Sequence, residues 1–500
     1  MSWLVPVPIV LPLIGAALSV LVGRSRRAQR VIGVTILAAL VVVAVVLVIA
    51  VDRDGTIVSR AGDWPAPLGI TLVADRFAVI MLLVAAVTLL AVLVYAIGEP
   101  GAERNHVGFQ SVYLVLAAGV SAAFLTGDLF DLFVAFEMML TASYVLLTLG
   151  GRREQIRAGM TYVVISLVAS VLFVTALALL YSATGTVNMA DLAGRITELS
   201  PGLRSGFAVL LVVVFGIKAA LFPLFFWLPD SYPTAPSPIT AIFAGLLTKV
   251  GVYAIIRTQT LFFPSDSRPG TLLLVIAAAT MIVGVLGAIA QDDVKRILSF
   301  TIVSQIGYMV MGLALFTIAG VAAAVYSIVH HIVVKTALFL TGGLIEHVGG
   351  SSRLTRVGGM VRTAPVLAVL FLIPALSLAG VPPFSGFVSK LALVDAGVAS
   401  EEYAVVGVSL VVSLLTIFSM IRIWSGVFWN PAEDPAAVGS RAVKSPGRFG
   451  GPVFMVIPTV VLVACSLAVA IAAGPIYEFS ERAAEELLNP AGYVEAVLQP

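Results

Sequence analysis

The chain has 500 residues, 60% of them hydrophobic and 11% charged, with a mean hydropathy of +1.08 and a formal net charge of +2. Soluble domains carry about 25% charged residues, so this composition excludes a string of soluble domains and points to a chain solvated mainly by lipid. One cysteine, Cys465, excludes an intrachain disulfide and any thiolate-ligated cluster.

A membrane crossing takes about 20 apolar residues. Fourteen segments reach that length, at 3–22, 31–51, 72–97, 109–126, 129–149, 157–182, 206–228, 236–258, 271–290, 299–317, 319–346, 363–398, 403–430 and 452–474. The first has no basic stretch before it and is followed by Arg24, Arg26, Arg27 and Arg30, the pattern of a retained anchor and not of a cleaved signal. Sixteen Lys and Arg lie on the odd-to-even connections, among them Arg104, Arg152, Lys295, Arg353, Arg441, Lys444 and Arg448. The opposite side has six: Arg53, Arg60, Arg195, Arg204, Arg268 and Arg482. Basic residues favour the cytoplasm, so the bias predicts fourteen crossings with both termini outside. The acidic tail, with Glu478, Glu481, Glu485, Glu486 and Glu495, fits the outer face.

The seventh and twelfth segments carry proline at mid-span, Pro223 in one and Pro382 and Pro383 in the other. Proline removes a backbone donor and clashes with the preceding turn, so each helix should break there and free carbonyls. Freed backbone is tolerated at membrane depth only against protein or a wet cavity. Aligned on Pro223 and Pro382, the two segments enter from opposite sides, which predicts an inverted repeat with broken helices; proline kinks that serve packing alone are the competing reading. This alignment pairs Lys218 with Ser377, so Lys390 is not a repeat copy of Lys218.

Five ionisable residues lie near the middle of apolar segments: Glu137, Lys218, Lys249, Lys335 and Lys390. Charge at that depth costs roughly 2.5–3.5 kcal/mol per residue on insertion scales and marks ion or proton paths by default. Glu137 is too deep to snorkel, and Lys218, one turn before the first break, is its expected partner; a purely structural ion pair is the competing reading. For Lys249 a structural ammonium bonded to carbonyls competes equally. Asp128 and Asp131 are nearer the edge, where interfacial solvation is expected. In the eleventh segment Tyr326 and His330, and His331 and Lys335, are four residues apart and so share helix faces. Histidine titrates near neutrality and can pass protons through two ring nitrogens. Adjacent histidines diverge by about 100° on a helix, and His106 and His347 lie at cytoplasmic ends, so metal or haem ligation is not expected.

Four stretches carry a family resemblance: Phe215-Gly216-Ile217-Lys218-Ala219-Ala220-Leu221-Phe222-Pro223, Trp227-Leu228-Pro229-Asp230-Ser231-Tyr232-Pro233, Gly245-Leu246-Leu247-Thr248-Lys249-Val250-Gly251-Val252-Tyr253, and His330-His331-Ile332-Val333-Val334-Lys335-Thr336-Ala337-Leu338-Phe339. Together they resemble the D subunit of Mrp-type multisubunit sodium/proton antiporters, a family that includes antiporter-like subunits of complex I and of membrane-bound hydrogenases. The resemblance implies an all-α integral membrane protein of about 14 transmembrane helices, with helices 4–8 and 9–13 as inverted five-helix repeats and helices 7 and 12 broken. It divides the chain into N-terminal helices at 1–108, a first repeat at 109–258, a second at 259–430, and a last helix with a short acidic tail at 431–500. It implies a proton pathway of Glu137, Lys218, Lys249, His330, His331, Lys335 and Lys390, with no cofactor and no metal. The implied partners are other antiporter subunits, including the large A subunit and the C subunit, together with protons, Na+ and the bilayer of a bacterial cell membrane, and no nucleic acid. The sequence shows no long lateral helix after the last crossing and no added domain as in the A subunit. Two other classes remain open from the residues: the pumping subunit of a redox complex, whose partners would hold Fe–S or flavin, and a scaffold subunit.

Overall fold

Six of the helices begin on the side-chain caps that their sequences offer. Ser25, Asp75, Asp128, Asn188, Asp293 and Thr317 each accept a backbone N–H from the first turn, satisfying donors that a helix start leaves free. The computed structural model describes residues 1–99, 108–431 and 452–499; Arg104, His106, Arg441, Lys444 and Arg448 lie outside the described residues. In chain order the helices are α1 Val7–Leu21, α2 Arg26–Asp54, α3 Arg76–Gly98, α4 Phe109–Leu125, α5 Leu129–Thr148, α6 Arg153–Thr184, α7 Met189–Ile196, α8 Pro201–Ala219, α9 Trp227–Ser231 and α10 Ser237–Leu261. There follow α11 Gly270–Ile289, α12 Val294–Ala314, α13 Ile318–Gly349, α14 Met360–Thr363, α15 Pro365–Ala379, α16 Ser385–Ala399, α17 Tyr403–Trp424, α18 Val453–Ile471, α19 Ala473–Leu488 and α20 Ala491–Leu498. Twelve of the described helices are long and apolar enough to cross a membrane, and α4 and α15 are shorter apolar helices. Each predicted segment contains a helix. Among the described residues, the one sheet is a ribbon between α2 and α3, in which β1 Ile57–Arg60 pairs antiparallel with β2 Thr71–Ala74.

Burial divides the bundle into an axis and a rim. The apolar cores of α10 and α13 are buried throughout, and that of α12 nearly so, whereas only about a third of that of α2 is covered. The polar groups along these apolar cores, Lys249, Thr301 and Lys335 among them, are therefore sealed in protein. Small residues permit the close approach: a Cβ on Gly251 of α10 would lie 2.6 Å from the backbone N of Ala219 in α8.

Both expected breaks are present, and they share one cap. At the end of α8, Ala220 (φ +61°) donates to the Ile217 carbonyl and Leu221 to that of Gly216. At the end of α15, Gly380 (φ +83°) donates to Ser377 and Val381 to Leu376. This is the left-handed closure that commonly ends helices. It pairs Ala220 with Gly380 and hence Pro223 with Pro383, one residue away from the Pro382 alignment. Lys218 then faces Leu378 instead of Ser377, and Lys390 still has no counterpart.

The connections fall into two groups. Asp52 binds Arg76 and Arg482 at 3.2 and 3.0 Å, Arg204 binds Asp266 at 3.0 Å, and Arg60 donates to the Val497 carbonyl at 3.3 Å. A second set joins other connections: Gln155 donates to Thr234 at 3.1 Å, Arg296 binds Asp230 at 3.0 Å, Gly359 donates to Asn430 at 2.7 Å, and Arg422 pairs with Asp292. The acidic tail, expected as a short extension, forms α19 and α20 instead. Phe479, Ala483, Ala484 and Leu487 line one face of α19 and are buried against the bundle, a helical spacing that the five glutamates of the tail obscured.

Candidate functional site

Glu137 and Lys218 meet through a third residue. Ser166 and Ser170 are four apart on α6 and so share its face. The Ser170 hydroxyl donates to Glu137 Oε1. Lys218, in the last turn of α8, sits 3.4 Å from Ser170 Oγ and 3.4 Å from the Ser166 carbonyl. Its Nζ lies 5.6 Å from the ring centroid of Phe136, a cation–π distance. The expected direct ion pair is thus replaced by a hydroxyl bridge. Beside Lys218 a cavity of about 30 Å3 reaches Leu247 and Tyr232, room for one water. The Tyr232 hydroxyl is buried without a hydrogen-bond partner. In the break itself, the Trp227 indole N–H donates to the Ile217 carbonyl at 3.1 Å.

Lys249 is fully buried on α10. A π-turn at Phe243–Leu247 precedes it, a feature that loosens carbonyls from the regular ladder and is frequent at functional sites. Lys249 donates to the Ala244 carbonyl inside that turn and to Thr248 Oγ1 at 3.2 Å.

On α13, Lys335 is also fully buried and donates to the Leu298 carbonyl of α12 at 3.1 Å and to Thr301 Oγ1. His331, one turn earlier, is 1% exposed with both ring nitrogens unpartnered. Lys249, Lys335 and His330 all lie within its electrostatic reach. His330 points elsewhere, its Nδ1 2.8 Å from Ser385 Oγ at the start of α16, which is in turn 3.1 Å from Ser377 Oγ. Tyr326, expected on the His330 face, sends its hydroxyl to the Val469 carbonyl of α18 at 3.3 Å.

Lys390 folds back into the second break. It donates to the Ala379 carbonyl, freed where α15 ends, and to Ser413 Oγ on α17, both at 2.9 Å. Gly380 leaves room for it: a Cβ there would stand 2.7 Å from Lys390 Cδ. His330 lies within electrostatic reach of Lys390.

A rule runs through the four lysines. Each binds backbone carbonyls and hydroxyls, and none is paired with a carboxylate among the described residues. Arg257, also buried, is instead clamped by both oxygens of Asp75 at 2.5 and 2.7 Å. Asp128 departs from expectation: it is 8% exposed, accepts the Phe130 N–H at 2.7 Å as the cap of α5, and is not interfacially solvated. Reading the sequence for charge missed Ser170, Thr301, Ser385 and Ser413. Ser170 had a usable signal in its spacing from Ser166; the carbonyl partners had none.

The fold and site define a class: a polytopic membrane protein with two broken helices and with lysines and histidines held inside the bundle. Residues 126–416 match the family described as NADH:quinone oxidoreductase/Mrp antiporter, TM. The chain is 45% identical to the D subunit of the Na(+)/H(+) antiporter of Alkalihalophilus pseudofirmus, over 100% of both chains. Its fold superimposes on a chain of the Mrp complex from Dietzia sp. with a TM-score of 0.91, at 33% identity and 100% coverage of both. A chain of respiratory complex I from Thermus thermophilus shares the fold, with a TM-score of 0.83 at 23% identity over 97% of this chain and 99% of that one. The chain belongs to the NADH:quinone oxidoreductase/Mrp antiporter transmembrane family.

Proposed function

We propose that this chain is the proton-translocating membrane subunit of a multisubunit sodium/proton antiporter of a bacterial cell membrane. It is a transporter subunit and not an enzyme. The observation that carries the reading is the set of four lysines, Lys249 and Lys335 fully buried and Lys218 and Lys390 half-buried, held by neutral acceptors. A carboxylate partner pins an ammonium; a carbonyl or hydroxyl leaves it free to give up its proton.

The path runs from Glu137 and Lys218 through Lys249, His331 and Lys335 to His330 and Lys390, near mid-membrane. Protonating one lysine repels its neighbour, so charge passes along the file without large helix motion. Both termini lie outside and the arginine-rich connections face the cytoplasm. Helices α4 to α10 and α11 to α17 form the two inverted repeats, each with one break. The other subunits, the large A subunit and the C subunit among them, complete the complex in which proton entry is coupled to sodium exit. The membrane potential contributes about 2.3 kcal/mol per charge per 100 mV. Full-length likeness to an antiporter D subunit favours this reading over a redox-driven pump.

In everted vesicles carrying the whole complex, Glu137→Ala and Lys218→Ala are each expected to abolish sodium-dependent proton flux at normal complex abundance. Full exchange in both variants at that abundance would overturn the reading, and loss of assembly in both would favour a scaffold.

A further inference from the structure

Away from the lysine file, on the face that carries Arg152 and Lys295, a cavity of about 270 Å3 opens between α3, α6, α10, α12 and α13. A water takes about 30 Å3 of liquid volume, so several fit. Its wall includes Glu99, Arg152, Ser237, Lys295, Glu346 and His347. Lys295 binds Glu346 at 2.5 Å, and Arg152 lies within electrostatic reach of the same carboxylate. Glu99 Oε2 and Ser237 Oγ are buried without hydrogen-bond partners, and Ser237 is only 2% exposed.

Glu99 caps the end of α3, and Ser237 is the first residue of α10, the helix that carries Lys249. The Glu99 carboxylate lies beside the Ser237 hydroxyl and N–H, where the positive end of a helix attracts negative charge. On α13 a Cβ at Gly343 would stand 2.6 Å from Ser237 Cβ. The floor of the cavity is therefore the α10–α13 contact; farther along these two helices, Lys249 and Lys335 lie within electrostatic reach of His331. Twelve residues separate Ser237 from Lys249, or roughly 18 Å of helix, so communication between them requires water.

We propose that Glu99 is a protonatable carboxylate in a hydrated vestibule, exchanging protons between the cytoplasm and the α10–α13 interface. The inference rests on the orientation and the function proposed above. Among the described residues, the titratable groups facing Glu99 are Lys295 from α12, Glu346 and His347 from α13, and Arg152 from the start of α6, with Tyr95 on its own helix. Burial pushes the Glu99 carboxyl up to about 7; Lys295 opposes that shift and Glu346 reinforces it. The group then binds and releases protons within the physiological range.

The test is sodium-driven proton release onto the cytoplasmic face of everted vesicles holding the whole complex, at pH values on both sides of about 7. The wild-type rate should bend near that pH. Glu99→Gln should lose the bend and run at about a tenth of the wild-type rate or less, while Glu99→Asp should keep a bend. A wild-type profile in Glu99→Gln would overturn the proposal. If Glu99→Gln does not assemble, Glu99→Asp decides alone: a profile without a bend overturns the proposal and a retained bend supports it. Lys249→Met separates the two readings. If it abolishes exchange while Glu99→Gln behaves as wild type, the vestibule falls and the antiporter function stands.

Discussion

Ser170 stands between Lys218 and Glu137, donating its hydroxyl to the carboxylate and holding its oxygen 3.4 Å from the ammonium. A hydroxyl can donate and accept at once, so one small side chain joins two opposite charges that do not touch. Because Ser166 offers only its carbonyl to Lys218, Ser170 is the one side chain binding both.

Removing the bridge should uncouple the pair without removing either charge. Ser170→Ala leaves a partly buried carboxylate one donor short, a loss of about 1–3 kcal/mol. Sodium-dependent proton flux in vesicles should fall by about tenfold, less than in Glu137→Ala, and Ser170→Thr should restore most of it. Equal rates for wild type and Ser170→Ala at matched abundance would show that the bridge carries nothing.

The second break allows a sharper comparison, because the two caps differ in one residue. Ala220 and Gly380 hold the same left-handed cap, at φ +61° and +83°. An L-residue there costs roughly 1–2 kcal/mol, so Ala220→Gly should leave transport intact and raise thermal stability. Gly380→Ala brings that cost together with a Cβ 2.7 Å from Lys390 Cδ, which forces the ammonium away from Ala379 and Ser413. Flux should collapse in Gly380→Ala and survive in Ala220→Gly. Survival in both would mean that Lys390 does not need its seat in the break.

These particulars explain how far the sequence could be read. The helices follow from apolar run lengths, and the breaks from Pro223 and the Pro382–Pro383 pair, because each feature acts through local sterics. The lysines stood out because charge in an apolar run is costly wherever the chain goes. Their partners did not, since the carbonyls of Ala244, Leu298 and Ala379 are main-chain atoms that every residue possesses. The one-residue shift of the break was hidden because two adjacent prolines are equally good breakers, and the cap at Gly380 chooses between them. The unpartnered nitrogens of His331 depend on how α10 and α13 face each other, which no local pattern encodes.

Asp128 offers a test of burial through stability. It caps α5 at its first turn, and the chain entering α7 covers it, with Leu129 N–H donating to the Val187 carbonyl at 2.9 Å. Burial pushes its carboxyl from 3.8 up to about 6, against the pull of its bonds to the Phe130 and Asp131 N–H groups. The folded protein thus holds this proton more tightly than the unfolded chain. The resulting stabilisation is fully present below pH 3.8 and is lost as pH rises through about 6. Asn caps helices about as well as Asp and does not titrate, so Asp128→Asn should lack this dependence. The Tm of wild type minus that of Asp128→Asn, measured on the purified complex, should fall between about pH 4 and pH 6 and level off above. A difference that stays flat, or that rises with pH, would mean that the Asp128 carboxylate is solvated as an ordinary surface group.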